Sequence, residues 1–105
     1  MNAIDWASRP PSQPFSGKPA STMGASPGAL GTSRAQYPLR QVGGYLDLRF
    51  LNVPEIMIGG ARQRFDAEGR LVHEATGKFL KQHLLVLAHW TRVLHAGEKA
   101  AGAKA

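Results

Sequence analysis

Residues 18–32 read KPASTMGASPGALGT, and the class of fold can be predicted from this segment. Lys18–Met23 is short, mostly small or apolar, and bounded by glycine on both sides, which is typical of a buried strand. Ser21 and Thr22 fit a buried strand less well, because buried hydroxyl groups need hydrogen-bond partners. A glycine-rich turn follows, and Thr32 stands where a helix N-cap is expected. The order of strand, glycine-rich turn and helix predicts an α/β fold with a parallel sheet.

The segment after the turn, Ser33–Leu46, is predicted to be a helix with one apolar face. Its apolar residues recur at intervals of three and four: Ala35, Leu39, Val42 and Leu46. Pro38 and the pair Gly43-Gly44 oppose this helix, since an interior proline costs about 3 kcal/mol and a glycine up to about 1 kcal/mol relative to alanine. We therefore expect a kinked or frayed helix unless tertiary packing holds it.

A second strand is predicted over Arg49–Val53, which ends at Pro54, and Glu55–Ile58 extends it after a break. An irregular segment begins at Gly59-Gly60, and Asp66–Gly69 has the composition of a turn. Two strands do not form an independent parallel sheet, because such sheets contain several strands and are covered by helices on both faces.

Two further helices are predicted at the ends of the chain. Asn2–Ser8 precedes the pair Pro10-Pro11 and resembles the last turns of a helix. Glu74–His95 is the best-defined element, with one apolar side formed by Phe79, Leu80, His83, Leu84, Leu87, Trp90, Thr91 and Leu94. Phe79 and Trp90 are interpreted as core residues rather than a cofactor cage. Residues 1–96 would form one domain piece and 97–105 a flexible tail.

Composition excludes several classes of function. The 105 residues contain no cysteine, which rules out disulfides, thiolate metal sites and cysteine nucleophiles. The net charge of +6 comes from basic residues spread along the chain, which favours a solvated surface over a nucleic-acid face. The histidines at 73, 83, 89 and 95 lack zinc-binding spacing, so no metal is expected. No apolar run is long enough for a membrane span, and a cytoplasmic protein is expected.

Several motifs in register closely resemble the NADPH-dependent FMN reductases, including their chromate and quinone reductase relatives. They are Asn2–Pro10, Gly17–Pro19, Met23–Gly28, Gly31–Tyr37, Leu39–Val42, Asn52–Glu55, Phe65–Leu71, Glu74–Thr76 and Phe79-Leu80. The resemblance implies the C-terminal half of a flavodoxin-like domain: a partial parallel sheet of about two strands with three helices. It also implies that FMN lies beyond the carboxyl ends of the strands.

In this family three loops build the flavin site, and the resemblance leaves one of them here. Ala25, Ser26, Pro27 and Gly28 would lie along the isoalloxazine edge, with glycine allowing close approach and amides donating to the ring. The phosphate-binding loop has no counterpart, so FMN and NAD(P)H are expected to bind this chain weakly or not at all. No catalytic side chain is expected, because the hydride chemistry belongs to the cofactor.

The resemblance also implies partners. Arg34, Tyr37 and Glu55 would join a subunit interface, or else form an ordinary surface group. The expected partner is a second copy in a homo-oligomer or a complementing N-terminal half. Alternatives are a non-catalytic remnant, which Pro38 and the Gly43-Gly44 pair would favour, and a small basic nucleic-acid binder.

Overall fold

The structure is a computed structural model that describes residues 2–9 and 13–104. Within these residues, three helices are separated by two pairs of short strands, in the mixed order that the sequence predicts for an α/β fold. In order they are α1 (Asn2–Ala7), β1 (Pro19–Ala20), β2 (Met23–Ala25), α2 (Ser33–Tyr45), β3 (Arg49–Phe50), β4 (Ile56–Ile58), a 3-10 turn (Ala61–Gln63) and α3 (Glu74–Lys104). The proline pair expected to stop α1 lies outside the described residues.

The strands form two separate parallel pairs, β1 with β3 and β2 with β4. The single strand predicted over Lys18–Met23 is therefore wrong in detail, since it breaks at Ser21-Thr22 and runs on to Ala25. The break has a physical cause. Thr22 is buried, and its hydroxyl donates to Oε1 of Gln36 at 2.9 Å, which supplies the partner that a buried hydroxyl requires.

The predicted break in the second strand is present, and β4 begins at Ile56, within the predicted extension Glu55–Ile58. The strand before the break ends earlier than predicted, at Phe50 rather than Val53. The ladder continues one residue past β3, because the amide of Leu51 donates to the carbonyl of Ala20 at 2.8 Å. Leu51 and Ile56 are buried, and together with Leu46 they form the small hydrophobic core.

Helix α2 runs without interruption through Pro38 and the glycine pair, so the expected fraying does not occur. Packing of the helix against the strands compensates for the low helix propensity, since Gly43 is buried against the ring of Phe50. Thr32 stands at the N-cap position, as predicted, but it forms no side-chain capping hydrogen bond. Its hydroxyl accepts a hydrogen bond from Nε2 of Gln36 at 2.7 Å instead of one from a backbone amide.

Helix α3 packs on β1 and β4 and continues past the predicted end at His95 to Lys104. Most residues after His95 are alanine, glutamate and lysine, which favour helix. Segment 97–104 is thus helical, and the mobility expected for it stays a prediction.

The interior face of α3 is narrower than the sequence predicts. Phe79 and Leu84 are 43% and 53% exposed, so their assignment to the core is wrong. His83 is fully buried, and its Nδ1 lies 2.7 Å from the carbonyl oxygen of Pro54. Trp90 is half-buried and donates from Nε1 to the carbonyl of Arg49 at 2.9 Å. Two short strands cover only a stripe of the helix, which leaves its flanking apolar residues in solvent.

Candidate functional site

The glycine-rich loop at residues 25–28 begins where β2 ends and lies at the carboxyl edge of the parallel strands. The amide of Ser26 donates to the carbonyl of Ile58 at 2.9 Å, which continues the ladder by one residue. The hydroxyl of Ser26 then accepts from the amide of Gly28 at 3.1 Å. This local hydrogen bond closes the turn that Pro27 occupies.

A second segment, Gly59–Ala61, holds the loop from the side. Gly60 donates its amide to the carbonyl of Gly28 at 3.1 Å, and Ala61 donates to the carbonyl of Ser26 at 3.0 Å. The sequence indicated only that an irregular segment began here. Its role in fixing the loop was missed, because backbone hydrogen bonds leave no mark in side-chain composition.

Three glycines around the loop are required by close packing within the chain. A Cβ atom at Gly24 would lie 2.0 Å from Oγ1 of Thr32, and one at Gly59 would lie 2.6 Å from the carbonyl oxygen of Ala29. At Gly31 the backbone has a φ of +62°, and a Cβ would lie 2.8 Å from the carbonyl carbon of Met57.

Gly28 is different. Among the described residues, a Cβ at Gly28 would meet only Oγ of Ser26, at an ordinary contact distance of 3.6 Å. Gly28 also borders a cleft of about 500 Å³ lined by Ser26, Gly28, Ala29, Leu30, Gly31, Thr32, Arg34 and Ala35. The chain itself therefore does not require a glycine here, and the absence of a side chain keeps the cleft open at this point.

The cleft has donors suited to an electron-rich ring edge. Within residues 13–104, the amides of Ala29 and Leu30 donate to no protein acceptor. They precede the N-terminus of α2, where the helix dipole is positive, and the exposed Arg34 side chain lines the same cleft. Free amides, positive potential and an open glycine fit the polar edge of an isoalloxazine ring.

The three residues predicted to form an interface are not all together. The hydroxyl of Tyr37 donates to Oε2 of Glu55 at 2.7 Å, on the protein surface. This hydrogen bond, followed by burial and the negative charge of Glu55, raises the pKa of Tyr37 above its usual value of 10.0. Arg34 lines the cleft instead, and the described part of the chain contains no ion pair between Arg34 and Glu55.

A buried glutamine behind the cleft was not singled out by the sequence. Gln36 is 4% exposed and accepts from Thr22, as described above. Its Nε2 donates to Oγ1 of Thr32 and to the carbonyl of Ile56, the latter at 2.8 Å. One amide group thus joins the break between β1 and β2, the start of α2 and β4. An isolated polar residue on the helix gave little signal of this role.

No three histidine, aspartate or glutamate side chains in residues 2–9 and 13–104 come together as a metal site. The helices of the same residues include none with the length and hydropathy that crossing a bilayer requires.

Parallel strands, a glycine-rich loop at their carboxyl ends and a following helix N-terminus define the flavodoxin-like class of α/β proteins. The profile of the NADPH-dependent FMN reductases matches residues 1–63, and the chain belongs to that family.

Its relatives agree with this assignment. An NAD(P)H-dependent FMN reductase of Pseudomonas aeruginosa is 56% identical over 93 residues, which cover 89% of this chain and 50% of that protein. An NADPH:quinone oxidoreductase of Arabidopsis thaliana is 49% identical over 92 residues, covering 86% and 46%. The solved structure of FerB, a flavoenzyme NAD(P)H:(acceptor) oxidoreductase from Paracoccus denitrificans, matches with a TM-score of 0.76 and 34% identity, covering 87% and 50%. The chain therefore spans about half the length of these relatives.

Proposed function

We propose that this chain forms one side of the flavin pocket of an NAD(P)H-dependent FMN reductase, with Ala25–Gly28 along the isoalloxazine edge. The observation that carries this proposal is the open side of Gly28. Neighbouring glycines at 24, 31 and 59 are packed against protein atoms, whereas Gly28 faces the cleft. A glycine that the chain's own packing does not require has a reason if a ligand approaches its backbone closely.

The chain's residues would bind and orient the cofactor rather than react. The amides of Ala29 and Leu30 would donate to polar atoms of the ring, and Arg34 would add positive charge near it. When bound, FMN supplies the redox chemistry, taking a hydride from a nicotinamide and reducing a quinone, a metal oxyanion or a free flavin.

We further propose that the chain corresponds to the C-terminal half of the family's domain and binds FMN weakly by itself. The match to half of each relative supports this. The loop residues would contact the ring edge alone, which is only part of an FMN site. A cytoplasmic location also remains a prediction.

The proposed partner is a complementing N-terminal half or a second copy of the chain. On β1 and β2, the carbonyls of Lys18 and Ala20 and the amide of Ser26 bond toward the neighbouring strands. Because strand residues alternate in direction, the backbone groups of Met23 would point to the opposite edge of β2, which pairs with no strand among the described residues. This edge would accept a further strand.

The subunit interface at Arg34, Tyr37 and Glu55 is part of the same proposal. The hydrogen bond between Tyr37 and Glu55 is exposed, and the exposed guanidinium of Arg34 on a second copy would pair with the carboxylate of Glu55. Replacing Arg34 with alanine should then lower the mass measured by light scattering. An unchanged mass would exclude Arg34 from the interface.

Binding of FMN to the loop is tested by titrating the isotope-labelled chain with FMN at up to millimolar concentration and recording amide resonances. Weak binding predicts shifts in Ser26, Gly28, Ala29 and Leu30. Gly28→Val should abolish the shifts because its side chain enters the cleft, whereas the exposed Gly44→Ala serves as a control that retains them. Shifts elsewhere in the chain, or none at all, would contradict the proposed site.

One observation weakens the alternative that the chain is a non-catalytic remnant. Gly43 lies in a packed position against Phe50, so it is a structural requirement of α2 rather than a relaxed position. The nucleic-acid alternative gains no support, since Arg49, Arg70 and Lys78 each pair with a carboxylate on different parts of the surface.

A further inference from the structure

Arg64 links two segments that the proposed function does not connect. Its backbone follows the 3-10 turn Ala61–Gln63, and its side chain is directed inward. Nε donates to the carbonyl of Gly59 at 2.8 Å, and Nη1 donates to Oγ1 of Thr76 at 2.5 Å. One guanidinium therefore joins the segment beside the loop to the first turns of α3.

The Thr76 end of this link is rigid. Thr76 is 6% exposed, and its hydroxyl lies 2.7 Å from Nδ1 of His73. The amide of Thr76 also donates to Nδ1 of His73 at 3.2 Å, so this nitrogen carries no proton and accepts. The Thr76 hydroxyl can then donate to His73 while it accepts from Arg64. Nη1 of Arg64 also lies 3.1 Å from Nδ1 of His73, so the guanidinium contacts both residues at the start of α3.

The Gly59 end leads directly to the loop. The next two amides, of Gly60 and Ala61, donate to the carbonyls of Gly28 and Ser26. Gly59 itself packs so closely on Ala29 that no Cβ would fit. A shift of Gly59 would therefore break these hydrogen bonds or move the loop with it.

We propose that Arg64 is a positioning residue, which holds the Ala25–Gly28 loop in its flavin-facing shape by fixing the Gly59 carbonyl to α3 through Thr76. The effect of Arg64 on flavin binding rests on the proposed function, whereas its effect on the position of the loop does not. Gln63 directly precedes Arg64, and Arg70 follows the turn at Asp66–Gly69. Both of these side chains are exposed. Composition alone gives no reason to choose Arg64 among these neighbours.

The test compares Thr76→Val, which removes the hydroxyl at nearly constant volume, with Thr76→Ser, which keeps it. Amide hydrogen exchange of the full chain without flavin is followed residue by residue. Thr76→Val should lower protection of Ser26, Gly60 and Ala61 by about three- to tenfold, as expected for one lost hydrogen bond. Thr76→Ser should restore it. Arg64→Lys, which cannot serve both acceptors, should behave like Thr76→Val.

The amides of Leu48 and Leu51 are the internal reference, because they bond to Gly43 and Ala20, away from Arg64. An equal loss of protection at these reference sites would indicate general destabilisation and overturn the proposal, as would unchanged protection of the loop.

FMN is then added at millimolar concentration. Weaker loop shifts in Thr76→Val than in Thr76→Ser support the positioning role, and equal shifts contradict it. If the unmodified chain shows no shifts with FMN, the proposed function is contradicted. The hydrogen-exchange data alone then test whether Arg64 links Gly59 to α3.

Discussion

Gly43 and Phe50 are in such close contact that a Cβ atom at residue 43 would lie 2.3 Å from two atoms of the phenyl ring. This contact brings α2 onto β3 and explains why a helix with poor local propensity is continuous. The ring cannot move freely, since the guanidinium of Arg40 stacks 5.2 Å from its centroid.

The first prediction concerns this glycine pair. Gly43→Ala should lower the free energy of unfolding by about 1–3 kcal/mol, because the added methyl group overpacks the helix against the strand. Gly44→Ala is a matched control, since Gly44 is exposed and a Cβ there meets nothing within 4 Å. It should raise stability by about 0.5–1 kcal/mol through helix propensity. Urea denaturation measures both, and equal effects would contradict the packing account.

The second prediction tests the buried amide behind the cleft. Gln36→Glu replaces the donor to Ile56 and Thr32 with an acceptor and buries a charge. It should cost at least about 2 kcal/mol of unfolding free energy. Gln63→Glu, an exposed site, makes the same chemical change and should stay within about 0.5 kcal/mol. Similar denaturation midpoints for the two variants would show that the hydrogen bonds of Gln36 contribute little.

The third prediction is a pH effect at the surface. The raised pKa of Tyr37 means that the folded chain holds the phenolic proton more tightly than the unfolded chain. Its contribution to stability is therefore present below the unfolded value of 10.0 and is lost as pH rises through the folded value.

Glu55→Gln removes the negative charge and weakens the acceptor, so the pKa of Tyr37 should fall toward 10.0. Ultraviolet titration of phenolate measures it, and Tyr37→Phe identifies which transition belongs to this residue. An unchanged titration in Glu55→Gln would show that Tyr37 and Glu55 do not bond in solution.

The order of elements was predictable because local composition determines it. Apolar runs bounded by glycine and proline located both strands, and helical spacing located α2 and α3. Pro54 marked the break in the second strand, although not the early end of β3 at Phe50. The break at Thr22 was not predictable, since it involves a partner distant in sequence, Gln36. The exposed Phe79 was assigned to the core because periodicity defines a face but not the width of the surface that covers it.

The loop at 25–28 was predicted from its motif, but the residues that hold it in place were not. The amides of Gly60 and Ala61 and the guanidinium of Arg64 donate to backbone carbonyls, and because every residue has a carbonyl, the sequence carries no sign of these acceptors. Arg34 was expected beside Glu55 because one turn of helix separates it from Tyr37. In the structure the Arg34 side chain lines the cleft.

The fourth prediction separates structural glycines from the proposed flavin-facing one. Gly31→Ala should destabilise the chain by at least about 1–2 kcal/mol, because of its positive φ and the nearby Met57 backbone. Gly28→Ala should change stability by less than about 0.5 kcal/mol, since its Cβ has space. Thermal melts of both variants decide this, and a large loss in Gly28→Ala would mean that glycine is needed there for folding rather than for a ligand.

The most direct test of the account is reconstitution of flavin binding. The chain is mixed with a polypeptide comprising the half of the Pseudomonas aeruginosa reductase that it does not match, and FMN fluorescence is titrated. We predict only weak binding by the chain alone and tight, stoichiometric binding by the mixture, which Gly28→Val in this chain should weaken strongly. Tight binding of FMN by the chain alone, or a mixture that binds no more than its parts, would contradict the claim that this chain supplies one side of a shared flavin pocket.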